Sequence, residues 1–197
     1  MGKTVCIGGL IAVGKSTFLK SFCAYAEEQG ASIRGMPEMY PESVRQMVHS
    51  NLVVGEAFFL AHRLQMAVDA QCIAKSYDLV FMERSIIDHM AFLDAFEECH
   101  FLEPEQINWS RQVIKEVNPP KLDRFIFLDI SPELAFKRKS GRGRGGEQFT
   151  LPFLHCLRES YLNYLHSTYS DPLILDWSAF GEELNRDELL SALLSIE

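Results

Sequence analysis

The sequence predicts an α/β fold: an open, doubly wound parallel sheet flanked by helices and carrying a phosphate-binding loop (P-loop). Three observations lead there. Gly9 to Ser16 fits G-x-x-x-x-G-K-[ST], short apolar runs alternate with longer helix-like segments, and two of those runs end in carboxylates. Strand followed by helix, repeated, makes neighbouring strands parallel and places the connecting helices on the sheet faces.

The first apolar run, Thr4 to Ile7, reads as a buried strand that feeds the glycine-rich segment. The helix after it is predicted over Lys15 to Glu28, stopping at Gln29-Gly30. A loop of small residues between strand and helix aims successive backbone N–H groups, and the positive end of the helix dipole, at phosphate oxygens. Gly9, Ala12, Val13, Gly14 and Thr17 are the expected lining. Lys15 would reach the outer phosphates and Ser16 would hold Mg²⁺, so the predicted ligand is a triphosphate such as ATP.

The second run, Ser32 to Arg34, leads into Met36-Pro37-Glu38, and the third, Leu79 to Met82, into Glu83-Arg84-Ser85. In an open parallel sheet the ligand crevice lies at the carboxyl ends of the strands, so both ends belong beside the phosphate loop. Glu83 is then the acidic partner that a metal-bound triphosphate needs. Arg84 supplies a fixed cation where charge shifts between donor and acceptor oxygens. Glu38 is positioned to take a proton from an attacking hydroxyl, and Glu42 competes for that role.

Between Glu42 and Tyr77 the pattern is helical. Phe58, Phe59 and Met66 read most simply as core, with a substrate-pocket wall as the alternative. Asn118-Pro119-Pro120 ends a further helix, the fourth run spans Phe125 to Ile130, and Ser131-Pro132-Glu133 opens another helix with an N-cap and proline at its first position. That helix continues into Arg138 through Glu147, where arginines alternate with glycines. Guanidinium groups grip phosphate bidentately and glycines let a segment fold over a nucleotide, so a mobile lid over 138–149 is expected, a solvated basic turn being the alternative. The fifth run is Leu173 to Leu175.

A chain of 197 residues with 47% hydrophobic content and no Gly/Ser- or Pro-rich linker predicts one domain over 1–197. A formal net charge of −8 argues against a nucleic-acid partner. The five cysteines are scattered without a C-x-x-C pair, which suits free thiols in a reducing compartment. With no signal-like start and no apolar run of about 18 residues, a soluble cytoplasmic protein without membrane attachment is expected.

Taken in order, Gly9 to Ser16, Pro37-Glu38, Glu83-Arg84-Ser85 and Arg138 through Glu147 resemble the deoxyribonucleoside kinase family, with the allied thymidylate kinases as second match. Phe125 to Glu133 looks like that family's fourth strand and lid-helix start, Leu151 to Leu154 like the segment after the lid, and Leu173 to Phe180 like its last strand and adenine-side loop. The resemblance implies five parallel strands in the order 2-3-1-4-5 and an arginine-rich lid. It makes Glu38 the base for a sugar 5′-hydroxyl, Arg84 a helper at the transferring phosphoryl, and Glu83 part of the metal shell. Arg142 and Arg144 would close over the phosphates, Arg138 and Phe180 would flank the adenine of ATP, and Glu147 would reach the acceptor sugar.

Several positions depart from the family pattern. The spacing between Glu38 and Glu83 is short for the animal enzymes, and alignment on Arg63 puts Glu56 where a glutamine reads a base edge. His89 stands in the place of a base-recognising aspartate. Phe59 to Gln65 also looks like the thymidylate kinase helix whose arginine, here Arg63, holds the acceptor's own phosphate, although the R-E-P segment usual after strand two is missing. The expected function is therefore ATP- and Mg²⁺-dependent transfer to a deoxynucleoside. A nucleoside monophosphate kinase, or a nucleotide-binding regulatory module without acceptor chemistry, are the rivals. The helix over Val53 to Ala74 and the one after Arg84 could supply a homodimer face.

Overall fold

In the computed structural model of the protein the described residues are 2–40, 44, 51–141, 149–169, 172–180 and 184–195. Five parallel strands, β1 (Lys3–Gly9), β2 (Ile33–Met36), β3 (Leu79–Glu83), β4 (Arg124–Asp129) and β5 (Leu173–Asp176), lie in the order β2-β3-β1-β4-β5. They are flanked by helices α1 (Lys15–Glu28), α2 (Leu52–Ile73), α3 (Ile86–Glu98), α4 (Pro104–Val117), α5 (Pro132–Ser140), α6 (Leu151–Thr168) and α7 (Arg186–Leu194).

The three central strands are covered on both faces, which is why they read as continuous apolar runs. Val5 to Ile7, Leu79 to Met82 and Phe125 to Leu128 are fully buried, whereas β5 alternates half-buried and exposed positions as an edge strand does. Register then sets the site. Ile7 pairs with Glu83 and Gly9 with Leu128, so the carboxyl ends of β1, β3 and β4 arrive together. The β1 end has to be glycine: Gly9 has φ 141°, and a Cβ there would lie 2.6 Å from the Leu128 carbonyl oxygen.

Local chemistry explains the helix ends. Ser85 caps α3 in a reciprocal box with Asp88, Ser131 and Thr150 cap α5 and α6 ahead of a proline, and Asn118 closes α4 in the left-handed region. The helical character expected from Glu42 to Tyr77 is realised as α2, which starts after the Asn51 cap. Residues 41–43 and 45–50, Glu42 among them, lie outside the described residues. Met66 joins the core as expected, but Phe58 and Phe59 do not. Both are half-buried and cluster with Tyr40 and His62, with Tyr40 5.7 Å from Phe58 and 5.0 Å from Phe59 between ring centroids. They face the segment that follows β2 and make a wall beside Glu38, while Met66 and Ala70 are the α2 residues that pack into the core with the strands.

All five cysteines are free. Among the described residues no helix is long and apolar enough to cross a membrane.

Candidate active site

The phosphate loop is the turn from Gly9 to Gly14. Ala12 (φ 60°) and Gly14 (φ 111°) adopt left-handed backbone, which bends the chain back over the start of α1. Gly14 is the N-cap of α1, and that helix has neither a side-chain cap nor an acidic residue in its first turn. Its opening N–H groups are left for an anion. Lys15 is buried, its ammonium donating to the carbonyls of Gly9 (3.3 Å) and Leu10 (3.0 Å). Burial, followed by the charge of Arg84, lowers its pKa to about 8. Val13 packs its side chain in the core, so only its backbone belongs to the loop, while Ser16 and Thr17 are exposed.

The expected metal pair is in contact. Ser16 Oγ donates to Glu83 at 3.0 Å (Oε1) and 2.9 Å (Oε2), and Glu83 itself is buried. A hydroxyl and a carboxylate are hard oxygen donors, which fits Mg²⁺ bound through one carboxylate, phosphates and water. Among the described residues no group of three or more His, Cys, Asp or Glu forms a cage that would hold a metal by itself.

Opposite the loop, Glu38 and Arg84 form an ion pair. Arg84 Nε donates to Glu38 Oε2 at 2.9 Å, Arg63 Nη2 lies 3.7 Å from Oε1, and the Tyr40 hydroxyl donates to the same oxygen. Burial works to raise the Glu38 pKa, but Arg84 and then Arg63 outweigh it and hold the carboxyl below its usual value. Glu38 is therefore an ionised acceptor at neutral pH, not a solvated loop acid. Arg84 takes φ 70°, a left-handed conformation that costs a non-glycine residue about 1 kcal/mol or more. Its backbone N–H is tied to the Ile7 carbonyl at 3.1 Å, and its guanidinium lies over the Phe92 ring at 5.0 Å.

Behind this pair sits a second polar cluster. Arg63 Nη1 donates to His89 Nδ1 at 2.8 Å, and Glu56 Oε2 is 3.5 Å from the same nitrogen. Because arginine can only donate, His89 carries its proton on Nε2. Burial, with Arg63 second, holds its pKa well below 6.5, so the ring is neutral. Burial pushes Glu56 up to about 7. Glu56 Oε2, Arg63 Nε and His89 Nε2 are buried without a hydrogen-bond partner among the described residues.

On the far side of the loop Arg138 donates to the Ser178 carbonyl (2.6 Å) and the Val13 carbonyl (3.4 Å), and its guanidinium lies 3.9 Å from the Phe180 ring centroid. The two residues expected to bracket an adenine are thus stacked on each other next to Gly14. Arg142, Arg144 and Glu147, expected at the lid, lie outside the described residues.

Lys15, Ser16, Glu38, Arg63, Glu83, Arg84 and His89 are therefore brought into one polar cluster at the strand ends. Sequence reasoning missed Tyr40, Asp88 and Tyr161, all bonded to members of that set. Of these only Asp88, at the third position after the Ser85 cap, carries a local signal.

The deoxynucleoside kinase family model matches residues 5–192. Among solved structures, a deoxyadenosine kinase from M. mycoides with bound dATP aligns with a TM-score of 0.67 and 19% sequence identity, over 96% of this chain and 96% of that one. No curated protein matches the sequence.

Proposed function

The chain belongs to the deoxynucleoside kinase family, and from that premise we propose how its residues move the γ-phosphoryl of ATP to the 5′-hydroxyl of a deoxynucleoside within one kinase domain. The protein is a phosphotransferase. The observation that carries the residue assignment is the ion pair of Glu38 and Arg84 at the mouth of the phosphate loop.

The Gly9–Gly14 turn, Lys15 and Thr17 hold the triphosphate. Ser16 and Glu83 would hold Mg²⁺, which would supply neutralisation of phosphate charge. Glu38 accepts the proton of the 5′-hydroxyl, and Arg84, released in part from Glu38 by that proton transfer, stabilises charge on the transferring group. Arg138 and Phe180 part to admit the adenine, and Arg142 and Arg144 close over the phosphates. Glu147 contacts the acceptor sugar, and Arg63 and His89, with Glu56, meet the acceptor base.

A monophosphate acceptor fits this cluster poorly. Arg63, the cation that would take the extra phosphate, already faces Glu38 and donates to His89 beside Glu56, so a second dianion would enter among carboxylates. A cytoplasmic setting is consistent with free thiols. Support for a homodimer comes from the exposed Val54 and Val68 on α2, since the apolar residues of α3, such as Phe92, Leu93 and Phe96, are committed to the core.

The test is an acceptor profile with ATP and Mg²⁺, following ADP in the presence of each common deoxynucleoside and each 5′-monophosphate. ADP formation that depends on a nucleoside is the expected result. Dependence on a monophosphate would reassign Glu38 and Arg63, and tight ATP binding with no acceptor effect would leave only a nucleotide-binding module.

A further inference from the structure

We propose that Tyr161 and Asp88 are positioning residues for phosphoryl transfer, through which α6 and the first turn of α3 hold the Arg84 guanidinium at the reacting group, a role that rests on the reading of Arg84 above. Neither touches the acceptor or the phosphates in that reading; both act through Arg84.

The geometry is a closed relay. Arg84 Nη1 donates to the Tyr161 hydroxyl at 3.0 Å and approaches Asp88 Oδ1 at 3.4 Å, and the Tyr161 hydroxyl donates its own proton to Asp88 Oδ1 at 2.6 Å. A phenol has one proton, so giving it to Asp88 leaves the oxygen lone pairs facing Arg84. The other carboxylate oxygen, Asp88 Oδ2, accepts from the Ser85 backbone N–H at 2.8 Å and from Ser85 Oγ at 3.2 Å. Asp88 is thereby locked to the backbone next to the residue it serves. Tyr161 and Asp88 are both fully buried, and Phe127 holds the tyrosine ring at 5.1 Å between centroids.

The arrangement has a direction. With Nε held by Glu38 and Nη1 by Tyr161 and Asp88, Nη2 is the guanidinium nitrogen with no partner among the described residues, which leaves it as the donor for a transferring phosphoryl. Arg84 carries left-handed backbone at φ 70°, so its side chain starts from a conformation that the chain would not choose unaided, and a relay anchored on two helices keeps it there. Burial, and then Asp88, keep the Tyr161 hydroxyl well above its ordinary pKa. Its proton therefore stays in place across the working pH range and the relay does not switch.

The test is a double-mutant cycle between Tyr161→Phe and Arg84→Ala, using ATP and whichever common deoxynucleoside is turned over fastest. Tyr161→Phe keeps the packed ring and should lower kcat about tenfold, with KM for ATP and for the nucleoside changed less than about twofold, because a small misplacement of a transition-state group costs rate and not ground-state binding. In the Arg84→Ala background the same substitution should have no further effect on kcat. Asp88→Asn should reproduce the kcat loss, and it provides the reading if Tyr161→Phe fails to fold. A normal kcat in Arg84→Ala would remove Arg84 from the mechanism and the relay with it. A slow Arg84→Ala beside a Tyr161→Phe enzyme of normal kcat, or losses that multiply in the double variant, would overturn the relay alone.

Discussion

The Lys15 ammonium donates to the Leu10 carbonyl at 3.0 Å, so the lysine of the phosphate loop is satisfied by the loop it serves. A phosphate tail has to replace that carbonyl. Because burial, with Arg84 second, has lowered the Lys15 pKa to about 8, nucleotide binding also has to restore its charge. Bound phosphates raise the pKa, so above pH 8 binding takes up a proton and the affinity for ATP falls as pH rises. The expected Kd is nearly flat below about pH 7 and climbs toward tenfold per pH unit by about pH 9. Titration calorimetry across that range, with Lys15→Met as the flat control, measures it. Parallel curves for the two proteins would place the titration elsewhere.

Glu38→Gln should leave the fold and ATP binding intact, since a glutamine amide oxygen can still accept from Arg84 Nε across the 2.9 Å contact. What it loses, in the proposed reading of Glu38 as the base, is the capacity to take the hydroxyl proton. A fall in kcat of roughly 10²- to 10⁴-fold is expected. Steady-state kinetics with saturating nucleoside checks this, and full activity would show that the acceptor needs no base.

Glu83 meets Ser16 through both carboxylate oxygens, at 3.0 and 2.9 Å, and so orients the hydroxyl; in the proposed reading the same carboxylate would also face Mg²⁺. Glu83→Gln should raise the Mg²⁺ concentration for half-maximal rate by roughly 10- to 100-fold, the usual consequence of disturbing a metal's supporting shell. ATP affinity measured in EDTA should stay the same, because that experiment removes the metal from both proteins. Equal losses in EDTA and in Mg²⁺ would instead mean a misfolded loop.

The parts of the site that could be read from the chain are those whose signal is local. Gly9 to Ser16 is a contiguous pattern, and Glu38, Glu83 and Arg84 follow apolar runs that had to be strands, so the rule about strand ends placed them. The order of the strands came from resemblance and agrees with the sheet. What could not be read arises from packing between distant segments. Tyr161 reaches Asp88 across 73 positions, and no periodicity in α6 distinguishes that tyrosine from a core residue. Phe58 and Phe59 obey helical spacing as core residues do. Their place beside Tyr40 depends on where the strand-two extension folds, which the α2 pattern does not encode. The mutual stacking of Arg138 and Phe180 is likewise a contact between α5 and the segment after β5.

Glu56 gives the clearest stability signature. Its folded pKa of about 7 lies above the ordinary 4.5, because burial disfavours the carboxylate more than Arg63 favours it. The sign follows: its contribution to stability is fully present below about pH 4.5 and is lost as pH rises through 7, at a cost of roughly 3 kcal/mol when the acid is ionised. Glu56→Gln keeps a neutral group of the same shape at every pH. Its melting temperature relative to the parent should therefore be higher at pH 8 than at pH 5. Thermal melts of both proteins from pH 5 to 8.5 decide the matter, and superimposable profiles would show that the acid is not buried in its ionised form. Should Glu56 also meet the acceptor base, KM for the nucleoside will shift through the same pH window in the parent and not in the variant, which separates a role at the site from one in the core.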